Sequence, residues 1–172
     1  MHMLTSSTFR KNMMNRISIL FLQAVIVLIG IVALTILIWT PLTEGRATNL
    51  DVFSIYFDPL ILYVYASSIA FFLILFKAFK LLNYIKQHRI FSSSAIKILK
   101  SIKYYAIVLS ILIVMAGVYI RLFHNPNDDP AGFLAICALT AFVSMVTATI
   151  ANVFEMMVQN VIAMKSENEP TN

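Results

Sequence analysis

The sequence predicts an all-α membrane protein: four transmembrane helices in two hairpins, with N and C termini cytoplasmic. Three observations carry this. Four apolar stretches, Ile17 to Trp39, Leu60 to Phe76, Tyr104 to Leu122 and Phe133 to Phe154, hold no charged residue except Arg121 near the end of the third. Hydrophobic residues make up 60% of the chain and charged ones only 12%, against about a quarter charged in soluble domains. Lys and Arg are distributed very unevenly among the connecting segments.

The first two observations decide between helix and barrel. Lipid offers no hydrogen bonds to the backbone, so a spanning segment must pair its own N–H and C=O groups as a helix or within a closed barrel. Barrel strands alternate apolar and polar residues over about ten positions. These stretches are apolar on every face for about twenty positions, the length a helix needs to cross about 30 Å of hydrocarbon. The expected helices cover approximately 17–39, 59–88, 94–122 and 130–164, with the second to fourth reaching beyond the bilayer in one integral domain, 1–172.

Charge sets the orientation. The N-terminal arm carries Arg10, Lys11 and Arg16. The central segment carries Lys77, Lys80, Lys86, Arg89, Lys97, Lys100 and Lys103, and the tail carries Lys165. The two remaining segments hold only Arg46 and Arg121 among Glu44, Asp51, Asp58, Asp128 and Asp129. Short Lys- and Arg-rich loops stay in the cytoplasm, so both ends and the central segment are expected there. The first helix is too long for a signal h-region and is followed by Trp39-Thr40-Pro41 with no small-residue cleavage pattern, so it is expected to be retained.

Each element carries its own boundary signals. Pro41 is expected to end the first helix. Asp58-Pro59 and Asp129-Pro130 each read as a carboxylate cap followed by a first helical residue. Lys77 and Lys80 extend the second helix into the interface by snorkelling. Ser92, Ser93 and Ser94 offer caps for the third helix, in which Ile96, Leu99 and Ile102 recur at helical spacing beside Lys97, Lys100 and Lys103. Tyr104 and Tyr105 stand at aromatic-belt depth, and Tyr63, Tyr65, Tyr119 and Trp39 read as interface anchors.

Two groups are candidate interaction sites. The basic ledge Lys97, Lys100 and Lys103 attracts anionic lipid headgroups, at about 1 kcal/mol per residue before screening, or docks an acidic cytoplasmic protein. Ala141, Ser144, Ala148, Ala151, Asn152, Glu155 and Gln159 form a stripe of small and polar residues on the fourth helix, the composition that lets membrane helices approach closely. Glu155 lies about twenty residues past Phe133 and is expected at the inner interface, paired structurally with the lysine cluster. The acidic tail adds Glu167, Asn168 and Glu169.

Chemistry is sparse. His2, His88 and His124 are isolated, and HExxH, Cys-x-x-Cys and Gly-rich phosphate loops are absent from the sequence. Cys137, the only cysteine, reads as a small hydrophobe. No enzyme activity, cofactor or metal is expected, and a basic ledge lying against a membrane without a DNA-binding motif does not predict direct nucleic-acid binding.

Two stretches resemble a known family. Ile90-Phe91-Ser92-Ser93-Ser94-Ala95-Ile96-Lys97-Ile98-Leu99-Lys100-Ser101-Ile102-Lys103-Tyr104 is similar to the central signature of an uncharacterised bacterial membrane family, domain of unknown function 2975. Lys165-Ser166-Glu167-Asn168-Glu169-Pro170-Thr171 is similar to its closing motif, with Pro170 where the family usually has Leu. The resemblance implies a four-helix, multi-pass inner (plasma) membrane protein. It also implies a regulatory setting, since members are often encoded beside a small helix-turn-helix regulator. The function expected is a non-enzymatic regulatory or interaction role through the basic hairpin and acidic tail. The alternative is a small transporter or channel subunit acting as a homo-oligomer. A reporter that works only in the cytoplasm should be active when fused to either terminus; activity of a secretion-dependent reporter at both would reverse the orientation.

Overall fold

The structure, a computed structural model, describes the backbone of residues 2–43, 59–123 and 129–167, and the side chains of 16–39, 61–123 and 129–167. Among the described residues there are four helices: α1 His2–Thr43, α2 Pro59–Lys86, α3 Ser93–Phe123 and α4 Ala131–Glu167. All four are long and apolar enough to cross a membrane. Among the described residues there is no strand. The protein is an all-α membrane protein.

The helices pack in chain order. The α3–α4 contact is the most extensive, α2–α3 comes next and α1–α2 last. The result is a row of neighbours in which α1 meets mainly α2, rather than a ring closed between α1 and α4. Antiparallel register is fixed at several levels. Gly117 faces Cys137, where an added Cβ would stand 3.5 Å from the Cys137 Cβ. Ser110 Oγ donates to the Ala141 carbonyl at 3.3 Å, and Lys103 meets Asn152 and Glu155.

Helix boundaries follow the local chemistry. Ser92 caps α3: its Oγ accepts from the Ala95 N–H at 3.3 Å. Asp129 caps α4 by accepting from the Ala131 N–H at 3.0 Å, and Pro130 supplies the carbonyl for Leu134 N–H. Helix α2 begins at Pro59 as expected, while Asp58 lies outside the described residues. At its other end α2 closes with two bonds, Arg89 N–H to Tyr84 O at 2.9 Å and His88 N–H to Ile85 O at 3.0 Å. That is a Schellman closure, and it places His88 at φ 57°, a region usually left to glycine.

Two expectations at α1 are corrected. The helix starts at His2, well before residue 17, because nothing between His2 and Arg16 is Pro or Gly to interrupt it. It also runs through Pro41 to Thr43. A proline inside a helix removes the N–H that the carbonyl four residues earlier would accept, here that of Leu37. The Tyr65 hydroxyl of α2 donates to that same Leu37 carbonyl at 3.1 Å. A neighbouring helix thus supplies the missing donor, which is how membrane helices tolerate proline.

Tyr63 and Tyr65 are likewise corrected. Tyr63 donates to the Leu112 carbonyl of α3 at 2.7 Å, as Tyr65 does to α1. Two residues apart on a helix, they point about 200° apart, so each ties α2 to a different neighbour. Among the four expected anchors, Tyr119 is exposed and packs on Phe123, with ring centroids 5.0 Å apart.

The kind of residue buried changes along the helices. From Ala106 to Gly117 on α3 and from Ala141 to Ala151 on α4, every buried side chain except Leu109 is Ala, Ser or Gly. On the other side of this stretch, buried residues are mostly large: Leu82 on α2, Ile98, Leu99 and Ile102 on α3 beside the small Ala95, and Val158 on α4. Ile74, Leu81 and Tyr84 pack on the cluster of Ile98, Ile102 and Ala151. Lipid gives no reward for burying Leu or Ile, so contacts inside it favour small residues that let backbones approach. Water does reward it, at about 25 cal/mol per Å². The last turns of α2, the first ten residues of α3 and the end of α4 thus form a stalk with the kind of core that water rewards, at the end carrying the 87–92 turn. Ile96, expected inside, is half-buried, and Ile98 takes its place, because α3 is flanked by both α2 and α4 and its inner face is broad.

Ile102→Ala (6% exposed) should cost about 2–5 kcal/mol. Leu139→Ala, 65% exposed on the lipid face of α4, should change stability by less than about 0.5 kcal/mol. Thermal unfolding of the two variants in detergent checks the contrast.

Candidate functional site

The site lies where small-residue packing gives way to the stalk core. Glu155 is the one charged residue among those buried in α4, 5% exposed. Its position follows from phase: Ala141, Ser144, Ala148, Ala151, Glu155 and Val158 are spaced by three or four, one face of a helix. That face lies on α3. Five of the seven residues of the expected stripe are buried there; Asn152 is half-buried, Gln159 is exposed, and Val158 is an addition. Glu155 is thus carried into the interface by the same stripe that packs the helices.

Its charge is answered locally. Lys103 Nζ stands 2.7 Å from Glu155 Oε2 and donates a second bond to Asn152 Oδ1 at 3.1 Å. Gln159 Nε2 donates to Glu155 Oε1 at 3.2 Å. Lys100 Nζ is more distant, 3.8 Å from Oε1. Both carboxylate oxygens have donors, the condition under which a buried charge is tolerated. Exposure separates the partners: the Glu155 side chain is 6% exposed, Lys103 31% and Lys100 60%. The acid is held inside, and its cations reach outward.

The three lysines of the ledge are not equivalent. Steps of three residues advance a helix by about 300°, so Lys97, Lys100 and Lys103 fan over about 120°. Lys103 is turned into α4, Lys100 sits at its edge, and Lys97 is exposed with no ion pair to a described residue. Lys97 is also farthest out, about 10 Å along the axis from Tyr104. Glu167 is exposed at the end of α4, about 18 Å of helix beyond Glu155, and is not brought to the ledge lysines. Asn168 and Glu169 lie outside the described residues. Among the described residues no group of three His, Cys, Asp or Glu could hold a metal ion.

Residues 41–171 match the family described as "Protein of unknown function (DUF2975)". The chain belongs to this family. It is also 36% identical over 160 residues to "Uncharacterized membrane protein YoaS" of Bacillus subtilis (strain 168), covering 92% of this chain and 99% of that protein. No solved structure matches. The family match takes in α2, α3 and α4 and with them the whole Lys103–Glu155 arrangement, while α1 up to Thr40 precedes it.

Sequence reasoning missed the interhelical bonds of Tyr63 and Tyr65 and the role of Asn152 as second acceptor for Lys103. The Asn152 signal was present: Asn152 and Glu155, three apart on one helix face, offer two acceptors to one incoming ammonium.

Removing Lys103 leaves a buried carboxylate, whereas removing Glu155 leaves an ammonium that can turn to water. Lys103→Met should therefore destabilise by about 3 kcal/mol and more than Glu155→Gln, with Lys100→Met below about 1 kcal/mol. Unfolding midpoints in detergent give the order, and Lys100→Met as the most damaging variant would contradict it.

Proposed function

We propose that this protein is a non-enzymatic regulatory component of the bacterial inner membrane whose basic end faces the cytoplasm and docks an acidic cytoplasmic protein. The observation that carries the reading is the division of labour within the ledge. Lys103 is consumed by Glu155, a pairing that locks α3 to α4 and stiffens the stalk. Lys97 and Arg89 are exposed at the tip of that stalk. Lys77 and Lys80 stand at the end of the second apolar stretch, where headgroups of anionic lipids neutralise them. Arg89 stands about 10 Å beyond that level and Lys97, whose neighbour Ile98 packs on Leu81 and Tyr84, about one turn beyond it, which favours a soluble partner over the bilayer. A rigid scaffold presenting like charges steers association and fixes register.

The excess of cations at this end supports the orientation. The absence of any charged residue in the middle of the four apolar stretches favours docking over transport, since transport pathways mark themselves with midplane charge or broken helices.

Cross-linking from membranes should capture an acidic soluble protein whose recovery falls with salt. Lys97→Glu and Arg89→Glu should abolish it without lowering the unfolding midpoint, because neither residue pairs with Glu155. Recovery unaffected by these two reversals would overturn the reading.

A further inference from the structure

The Lys103–Glu155 pair has a further link on its outer side. Asn152 Oδ1 accepts from Lys103 Nζ at 3.1 Å, and Asn152 Nδ2 donates to the sulfur of Met156 at 3.9 Å. Chemistry fixes the direction of this chain. A lysine ammonium only donates, so the amide oxygen faces Lys103 and the NH2 group is left to the sulfur. Residues four apart on a helix are neighbours, which sets Met156 beside Asn152, while Met157 is turned about 100° away. Both methionines are exposed. A thioether sulfur is a weak acceptor, so the last link holds the amide loosely. The chain therefore ends on an exposed atom that can be oxidised.

We propose that Met156 is an oxidation site at which conversion of the thioether to a sulfoxide by a peroxide tightens the hold of α3 on α4. In the step, the sulfur lone pair forms a bond to one oxygen of hydrogen peroxide as the O–O bond breaks. The second oxygen leaves as water and takes both protons. Sulfur is oxidised by two electrons and the peroxide is reduced by two. Methionine sulfoxide is polar, and reductases return it to the thioether, so the change is reversible. An oxygen entering the 3.9 Å gap between sulfur and Asn152 Nδ2 replaces a weak acceptor with a strong one, at the usual N–H···O distance of about 2.7–3.2 Å. Hydrogen bonds in a chain polarise one another, so a firmer bond at the amide nitrogen makes Oδ1 a better acceptor for Lys103. Glu155 keeps its own donors, Lys103 and Gln159, throughout. This inference stands apart from the docking reading, since it concerns how tightly α3 holds α4 and not what meets the tip.

The full-length protein in detergent, treated with hydrogen peroxide and followed by peptide mass spectrometry and thermal unfolding, tests this. One oxygen should appear on Met156. The unfolding midpoint should rise by about 2–4 °C, the shift that one added hydrogen bond gives a chain of this size. Methionine sulfoxide reductases should return it to its starting value. The rise should be absent from Met156→Leu and Asn152→Leu and kept in Met157→Leu. A Met156 that stays unmodified would overturn the proposal, as would an oxidised Met156 with an unchanged or lower midpoint. So would a rise that resists the reductases, survives in Met156→Leu or Asn152→Leu, or is lost in Met157→Leu.

Discussion

Everything in this molecule follows from a change of solvent partway along its helices. Within the hydrocarbon the backbone must satisfy itself, side chains gain nothing by turning inward, and helices meet through Ala, Ser and Gly. Toward the 87–92 turn the same helices bury Ile, Leu and Val, the packing that water rewards. The Lys103–Glu155 pair stands at the change. A carboxylate one turn deeper would be costly to hold, and one turn farther out it would be screened and worth little. At the boundary it is dry enough to bind strongly and close enough to water for Lys103 to remain partly wet.

This position explains why one interaction does two tasks. It fixes the axial register of α3 on α4, which a stripe of Ala and Ser alone leaves free to slide by a turn. It also decides which lysines stay exposed. The fan of Lys97, Lys100 and Lys103 across about 120° of α3 means that a single acid can claim one end of the series and leave the other exposed. A stiff three-helix stalk with cations at its tip follows from that partition.

Much of this was legible in the sequence, and the reason is chemical. Spans, caps and the small-residue stripe are local: each is set by residues within one helix and by the solvent it meets, so spacing and composition suffice. The phase of the stripe alone carried Glu155 into the α3 interface and next to the lysines. What could not be read depends on a second helix. Which lysine reaches Glu155 requires the rotation of α3 against α4. The burial of Ile98 in place of Ile96 requires both neighbours of α3 to be known. Tyr63 and Tyr65 have the look of interface anchors, and only the placement of α1 and α3 on either side of α2 reveals that their hydroxyls reach carbonyls. The start of α1 at His2 was different: the absence of Pro and Gly before Arg16 was on view, and charge at the N-terminus obscured it.

Helix α1 shows how far the backbone constraint alone can organise a contact. It has few buried side chains, packs mainly on one neighbour, and precedes most of the segment shared with the family. Little side-chain chemistry directs where it should sit. Pro41 removes the donor that the Leu37 carbonyl would otherwise use, and a carbonyl left open at membrane depth is costly. Tyr65 donates to that carbonyl, and Gly30 one face below lets Leu75 approach, its Cδ1 standing 3.6 Å from where a Cβ would be. One unmet backbone group and one missing side chain are enough to set the register of α1 on α2. The proline that reads as the end of a helix serves instead as the address at which the next helix docks.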